Sequence, residues 1–128
     1  MSSEPQLRRL AQVAVNVQDV ERATTFYRDA LGLRHLFSSG ALAFFDIGGT
    51  RLMLSRAEQP EFDHPASILY YDVADIAEAH RTLAGRGVHF ENEPHLLARL
   101  QTTDLWMAEF RDSEGNALAL QSEVARQP

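Results

Sequence analysis

Lysine and cysteine are both missing from this 128-residue chain, whose twelve basic residues are all arginine. Without lysine there is no Schiff base to a carbonyl substrate, no covalently held pyridoxal phosphate and no lysine general base. Without cysteine there are no disulfides, no thiolate nucleophile and no thiolate zinc site. Long apolar runs are missing too. The longest, such as ALAFF at residues 41–45, are far too short to span a bilayer, and the opening MSSEPQLRRL lacks the apolar stretch of a secretory leader. A cytoplasmic protein with no membrane partner is expected. Positive charge is sparse, with 12 Lys+Arg against 18 Asp+Glu, a net −6. The arginines are scattered, and Arg8-Arg9 is their only adjacent pair. Nucleic-acid affinity comes largely from clustered cations that displace counterions, so no nucleic-acid partner is expected.

What is present suits one globular domain: 45% hydrophobic and 23% charged residues on a chain of ordinary domain length. The most informative feature is internal similarity. In VAVNVQDVERATTFYRDALGL, Val13, Val15 and Val17 alternate as in a half-buried strand. Asp19 then offers a helix N-cap, Val20, Ala23, Tyr27 and Ala30/Leu31 follow at helical spacing, and Gly32 stops the run. SILYYDVADIAEAHRTLAGRG repeats this order with Val73, Asp75 as N-cap, Glu78 three residues on, Ile76, Ala79 and Leu83 on one face, and Gly85 and Gly87 at the end. Asp75 follows Asp19, and Val73 follows Val17, by the same 56 residues.

Each unit is followed by strand-like segments. FDIGGTRLML and FRDSEGNALAL read as the same hairpin used twice. The expected architecture is α+β. Two βαβββ modules, about residues 6–56 and 64–123, are joined by a linker at 57–63, AEQPEFD, whose proline and acids suit an exposed connection.

VNVQDVERATTFYRDALGL and FRDSEGNALAL together resemble the glyoxalase / bleomycin resistance / extradiol dioxygenase superfamily, the vicinal oxygen chelate proteins, over residues about 7–122. The resemblance implies paired βαβββ modules whose curled mixed sheets form a ligand cleft, usually completed by homodimerisation, with a divalent metal in the enzymatic members. Carried onto this chain, the superfamily's four metal positions fall on Gln12, Met53, Ile68 and Ala119. A divalent ion needs several convergent N or O donors, and one amide among apolar side chains does not supply them. His35, His64, His80, His89 and His95 show no HxH or HExxH spacing. The cleft is therefore expected to hold no metal and no cofactor.

Strand parity then states what lines it. Val13, Val15, Val17, Leu52, Leu54, Leu69, Tyr71, Val73, Leu118 and Leu120 belong under the helices. The opposite face receives Gln12, Asn16, Arg51, Met53, Ile68, Tyr70, Ala119 and Gln121. In DLWMAEF the apolar set Trp106, Ala108 and Phe110 is assigned to the core, leaving Met107, Glu109 and Arg111 for the cleft. A few polar groups among apolar ones is the composition of a small-molecule pocket.

Arg51 is read as an anchor for a carboxylate or phosphate, or as a solvated strand arginine. Glu109 is the candidate general base, or one half of a salt bridge with Arg51 or Arg111. Asn92–Asp104 has no counterpart in the first module, and its Leu96, Leu97 and Leu100 are read as a flap over the cleft, with a dimer contact as the alternative. Two functions remain open: a metal-independent small-molecule-binding protein taking a small, partly apolar ligand, neutral or anionic, or a glyoxalase-like lyase or isomerase using Glu109.

Overall fold

The computed structural model describes Pro5 and residues 7–56 and 67–126. The expected linker at 57–63 and the expected start of module two at 64–66, including His64, lie outside the described residues.

Module one begins with β1 (Gln12–Asn16) and helix α1 (Val20–Thr25). The Asp19 carboxylate caps α1 by accepting the Arg22 N–H at 3.0 Å. The helix then widens into a π turn, Phe26–Ala30, closed by the Leu31 N–H on the Phe26 carbonyl at 3.0 Å. That turn carries Tyr27, which is fully buried. Strands β2 (Arg34–Ser39), β3 (Leu42–Ile47) and β4 (Thr50–Ser55) follow. Gly48 and Gly49 join β3 to β4 with φ of 57° and 94°, the left-handed backbone a two-residue hairpin turn demands.

Module two repeats the plan with β5 (Leu69–Asp72), α2 (Ile76–Gly85, capped by Asp75 on the Glu78 N–H), β6 (His89–Phe90), β7 (His95–Arg99), β8 (Thr103–Arg111) and β9 (Ala117–Ala125). The sheets run β1-β4-β3-β2 and β5-β9-β8-β6, with β7 also on β8. In both, the first strand pairs in parallel with the last: Val13 opposes Leu52, and Leu69 opposes Leu118. The first strands of the two modules thus keep the 56-residue offset seen in the sequence, while their partners Leu52 and Leu118 lie further apart.

The flap reading of Asn92–Asp104 is corrected. His95–Arg99 is β7, hydrogen-bonded to β8 with His95 opposite Met107 and Leu96 opposite Trp106. β6 and β7 lie in succession along one edge of β8, where module one has the single strand β2. Of the leucines that suggested a lid, Leu96 and Leu97 are edge-strand residues, Leu97 at the irregularity in the β7 ladder, and Leu100 follows β7 with its N–H on the Thr103 carbonyl at 2.8 Å. Paired backbone ties the segment down, so apolar composition alone did not identify a loop.

The residues beneath the helices of both modules form one hydrophobic cluster, including Val15, Tyr27, Phe45, Leu52, Leu54, Phe110 and Leu118. Trp106 packs against it. The turn from β8 to β9 locks the modules together. Buried Asp112 accepts the Glu114 and Asn116 N–H groups on Oδ1, both at 2.8 Å, and the Tyr27 hydroxyl on Oδ2 at 2.7 Å. Asn116 donates to the Asn16 carbonyl at 3.0 Å. The Glu114 side chain, 1% exposed, accepts from the Gln18 and Asp19 N–H groups and pairs with Arg22 at 2.7 Å. Arg22 leads in holding its carboxyl down at about 2, against an ordinary 4.5, and outweighs the opposing effect of burial. Burial, reinforced by Asp112, pushes the Tyr27 hydroxyl far upward, so it stays a proton donor. FYRDALGL and FRDSEGNALAL, far apart in sequence, thus meet at one structural joint.

Candidate functional site

The sheet faces turned away from the helices hold the expected cleft residues. On module one, register lays Gln12, Arg51, Asp46 and Arg34 side by side, with Ala14, Met53, Phe44 and Phe37 in the next row. Arg51 Nε donates to Gln12 Oε1 at 2.7 Å, and its guanidinium carbon stands 5.3 Å from the Phe44 ring centre. Gln12 turns its amide nitrogen to the Met53 sulfur at 3.9 Å. Phe37 stacks on Phe44 with ring centres 4.6 Å apart and is 49% exposed. Among the described residues Arg51 forms no ion pair. Asn16 opposes Ser55 at the far end of β1 and is half-buried.

On module two the corresponding rows are Tyr70, Ala119 and Glu109, then Asp72, Gln121, Met107 and His95. Tyr70 and neighbouring Ile68 are exposed, at 46% and 44%. Gln121 is half-buried, whereas Met107 and Ala119 are closed to solvent. Ala119 is flanked in the ladder by the longer Tyr70 and Glu109, so parity placed it on this face without leaving it accessible.

Glu109 is half-buried and bridged to Asn92, which donates to its carboxylate at 3.3 Å and accepts its N–H at 2.9 Å. Neither expected salt bridge forms. Arg111 pairs with Glu91 at 3.0 Å, and Arg51 is held by Gln12. His80 packs against Phe90 with ring centres 4.2 Å apart and planes tilted by 46°, and His95 bonds the Glu93 carbonyl. Both histidines are thereby accounted for locally.

The two faces do not meet within one chain. The helix sides of both sheets feed one common core, so the opposite faces look away from it. No hydrogen bond, ion pair or ring contact among the described residues joins Gln12, Arg51 or Met53 to Tyr70, Glu109 or Gln121. Each module thus presents its own face of candidate residues. Sequence reasoning missed Phe37, Phe44 and Asn92. Parity applied to ALAFFDI would have placed Phe44, but the irregularity between His35 and Phe37 breaks the alternation of RHLFSS and moves Phe37 onto this face, and nothing in the spacing of Asn92 and Glu109 signals their contact.

The four positions carried over as metal ligands do not fit a divalent ion. Gln12 offers one amide already engaged with Arg51 and Met53, Met53 offers only a thioether, and Ile68 and Ala119 have no donor atom. Among the described residues no group of three or more His, Cys, Asp or Glu side chains converges. No helix there is long and apolar enough to cross a membrane.

Comparison with known proteins agrees with this architecture. The sequence is 29% identical over 126 residues to YraH, an uncharacterized protein of Bacillus subtilis (strain 168), covering 88% of this chain and 96% of that one. The fold is similar to that of a lactoylglutathione lyase from Agrobacterium tumefaciens, with a TM-score of 0.71 at 22% identity over 93% of this chain and 96% of that one. A Sphaerobacter thermophilus superfamily member gives a TM-score of 0.75 at 24% identity, over 91% of this chain and 98% of that one. The family pattern itself matches residues 9–120, and the chain belongs to the Glyoxalase/Bleomycin resistance protein/Dioxygenase superfamily.

Proposed function

We propose that this protein binds a small, partly apolar carboxylic acid without a metal ion, in a cleft that a second copy of the chain completes. The observation that carries the reading is Arg51: a cation fixed by Gln12, lying beside Phe44 and next to exposed Phe37, with no acid paired to it among the described residues. A guanidinium held in this way matches a carboxylate bidentately, and the phenylalanine pair offers an apolar surface beside it. The unsuitability of Gln12, Met53, Ile68 and Ala119 as ligands supports metal independence. A homodimer is supported by the two separate half-sites, by the unpaired outer edge of β1 and by exposed Ile68.

Calorimetric titration of chelator-treated protein with phenylacetate tests this reading. Saturable binding that survives chelation and weakens about tenfold or more in Arg51→Ala is expected, a loss of at least ~1.4 kcal/mol. Binding that needs an added divalent ion, or that ignores Arg51→Ala, refutes it.

Glu109 supports a second reading as a lyase or isomerase. Its carboxylate has no cationic partner among the described residues and is oriented by Asn92, as a proton-transfer group requires. Solvent deuterium entering phenylpyruvate faster than in buffer, and no faster with Glu109→Gln, is the signature of that activity. Equal exchange in both proteins rules it out.

A further inference from the structure

The shared core is open on one side between the modules. A cavity of about 760 Å³ runs there along the outer edge of β5. Leu31, Leu33 and Ile47 of module one face Tyr71, Val73 and Leu83 of module two across it, and all six belong to the partly buried shell of the core. The volume falls within the range of small-molecule sites, ~300–1,000 Å³. Gln12, Arg51, Met53 and Glu109 do not line it, so it is distinct from the Arg51 face, while Tyr70 and Asp72 are shared with the edge of the module-two face.

Its polar chemistry is one-sided. Asp72, Asp75 and Glu78 contribute to its lining, together with Thr82, and no arginine or histidine does. None of the three acids forms an ion pair among the described residues. Asp75 and Glu78 sit at the start of α2, where their two negative charges exceed the half positive charge of a helix N-terminus. A nearby arginine, Arg86, is directed to the Ala30 carbonyl at 3.3 Å.

The backbone adds acceptors. In a parallel pair, alternate residues turn both N–H and C=O toward the neighbouring strand. The Val73 N–H bonds the Gln121 carbonyl, so Tyr71 also faces β9, while Tyr70 and Asp72 present their backbone groups at the unpaired edge. Both of these residues line the cavity.

We propose that this inter-module cavity is a second binding site, selective for a hydrophobic cation: a primary ammonium carried on an aromatic or alkyl group. The ammonium donates to the edge carbonyls of β5 beside the carboxylates, and the apolar part lies between Leu33, Ile47 and Leu83. An anion of similar shape meets only like charge here, so the preference is opposite to that of the Arg51 face.

Phenethylammonium and phenylacetate, similar in size and opposite in charge, test the proposal by calorimetry on the full chain. Saturable phenethylammonium binding is expected at one site per chain. It should weaken about tenfold or more in the Asp72→Asn/Glu78→Gln double variant, disappear when Ala79→Trp fills the cavity and stay unchanged in Arg51→Ala. If Ala79→Trp fails to fold by circular dichroism, the double variant decides. The proposal is overturned by absence of saturable phenethylammonium binding, by equal affinity for both probes in Arg51→Ala, or by an unchanged affinity in the double variant.

Discussion

Replacing Glu114 by Gln removes one negative charge from the joint between the modules and leaves its shape nearly unchanged. The native carboxylate accepts from the Gln18 and Asp19 N–H groups and from Arg22 while only 1% exposed. Its lowering from 4.5 to about 2 corresponds to ~3 kcal/mol at ~1.4 kcal/mol per pH unit. Arg22 is 55% exposed, so solvent screens its share, and about 2 kcal/mol is the reasonable expectation at pH 7. Over 128 residues, an unfolding entropy of ~2.1 cal/mol/K per residue converts that to a Tm lower by roughly 7 °C. A carboxyl whose folded value is depressed stabilises the native state fully above its unfolded value near 4.5, and that contribution is lost as pH falls toward 2. Urea unfolding of both proteins, followed by the fluorescence of the single tryptophan, Trp106, at pH 7, 4.5, 3.5 and 2.5, measures this directly. The gap between wild type and Glu114→Gln should shrink steadily below pH 4.5, with the other carboxylates cancelling between the two. A gap equal at pH 7 and pH 2.5, or below ~0.5 kcal/mol at pH 7, refutes the charge-based account of the joint.

The neighbouring tyrosines should respond in opposite directions. The Tyr71 hydroxyl is buried with no hydrogen-bond partner among the described residues, so Tyr71→Phe should raise stability by up to about 1 kcal/mol in urea unfolding. Tyr27 donates to Asp112, so Tyr27→Phe should lower stability by about 1–3 kcal/mol. Because His95–Arg99 is hydrogen-bonded to β8, its ladder amides should exchange with deuterium more slowly than those of the exposed turn at Gln101 and Thr102. Exchange as fast as in that turn would restore the flap. For the proposed homodimer, light scattering should find twice the chain mass, and Ile68→Arg should halve it while the circular dichroism spectrum stays native. A wild-type monomer at high concentration counts against a cleft shared by two copies.

The repeat was legible because it is written in local chemistry. Asp19 and Asp75 cap helices through contacts three residues away, and Gly48-Gly49 supplies a backbone that other residues rarely adopt. Alternation likewise assigned Val15, Leu52, Leu54 and Leu118 to the core, because a buried face fixes strand register. The β7 segment was illegible for a related reason: an edge strand buries too little to impose a clean period, and the β7 ladder is broken between Leu96 and Ala98.

By itself, the sequence determined the twice-used order of strand, helix and closing hairpin and the residue set on each sheet face, both consequences of short-range periodicity and side-chain chemistry. Only the tertiary structure decided how the modules join. The Tyr27–Asp112 and Arg22–Glu114 contacts span 85 and 92 residues, and no local pattern encodes such distances. That joint turns the two half-sites away from one another and leaves an acid-rimmed cavity between the modules, because packing both helix sides into one core places every remaining surface relative to it.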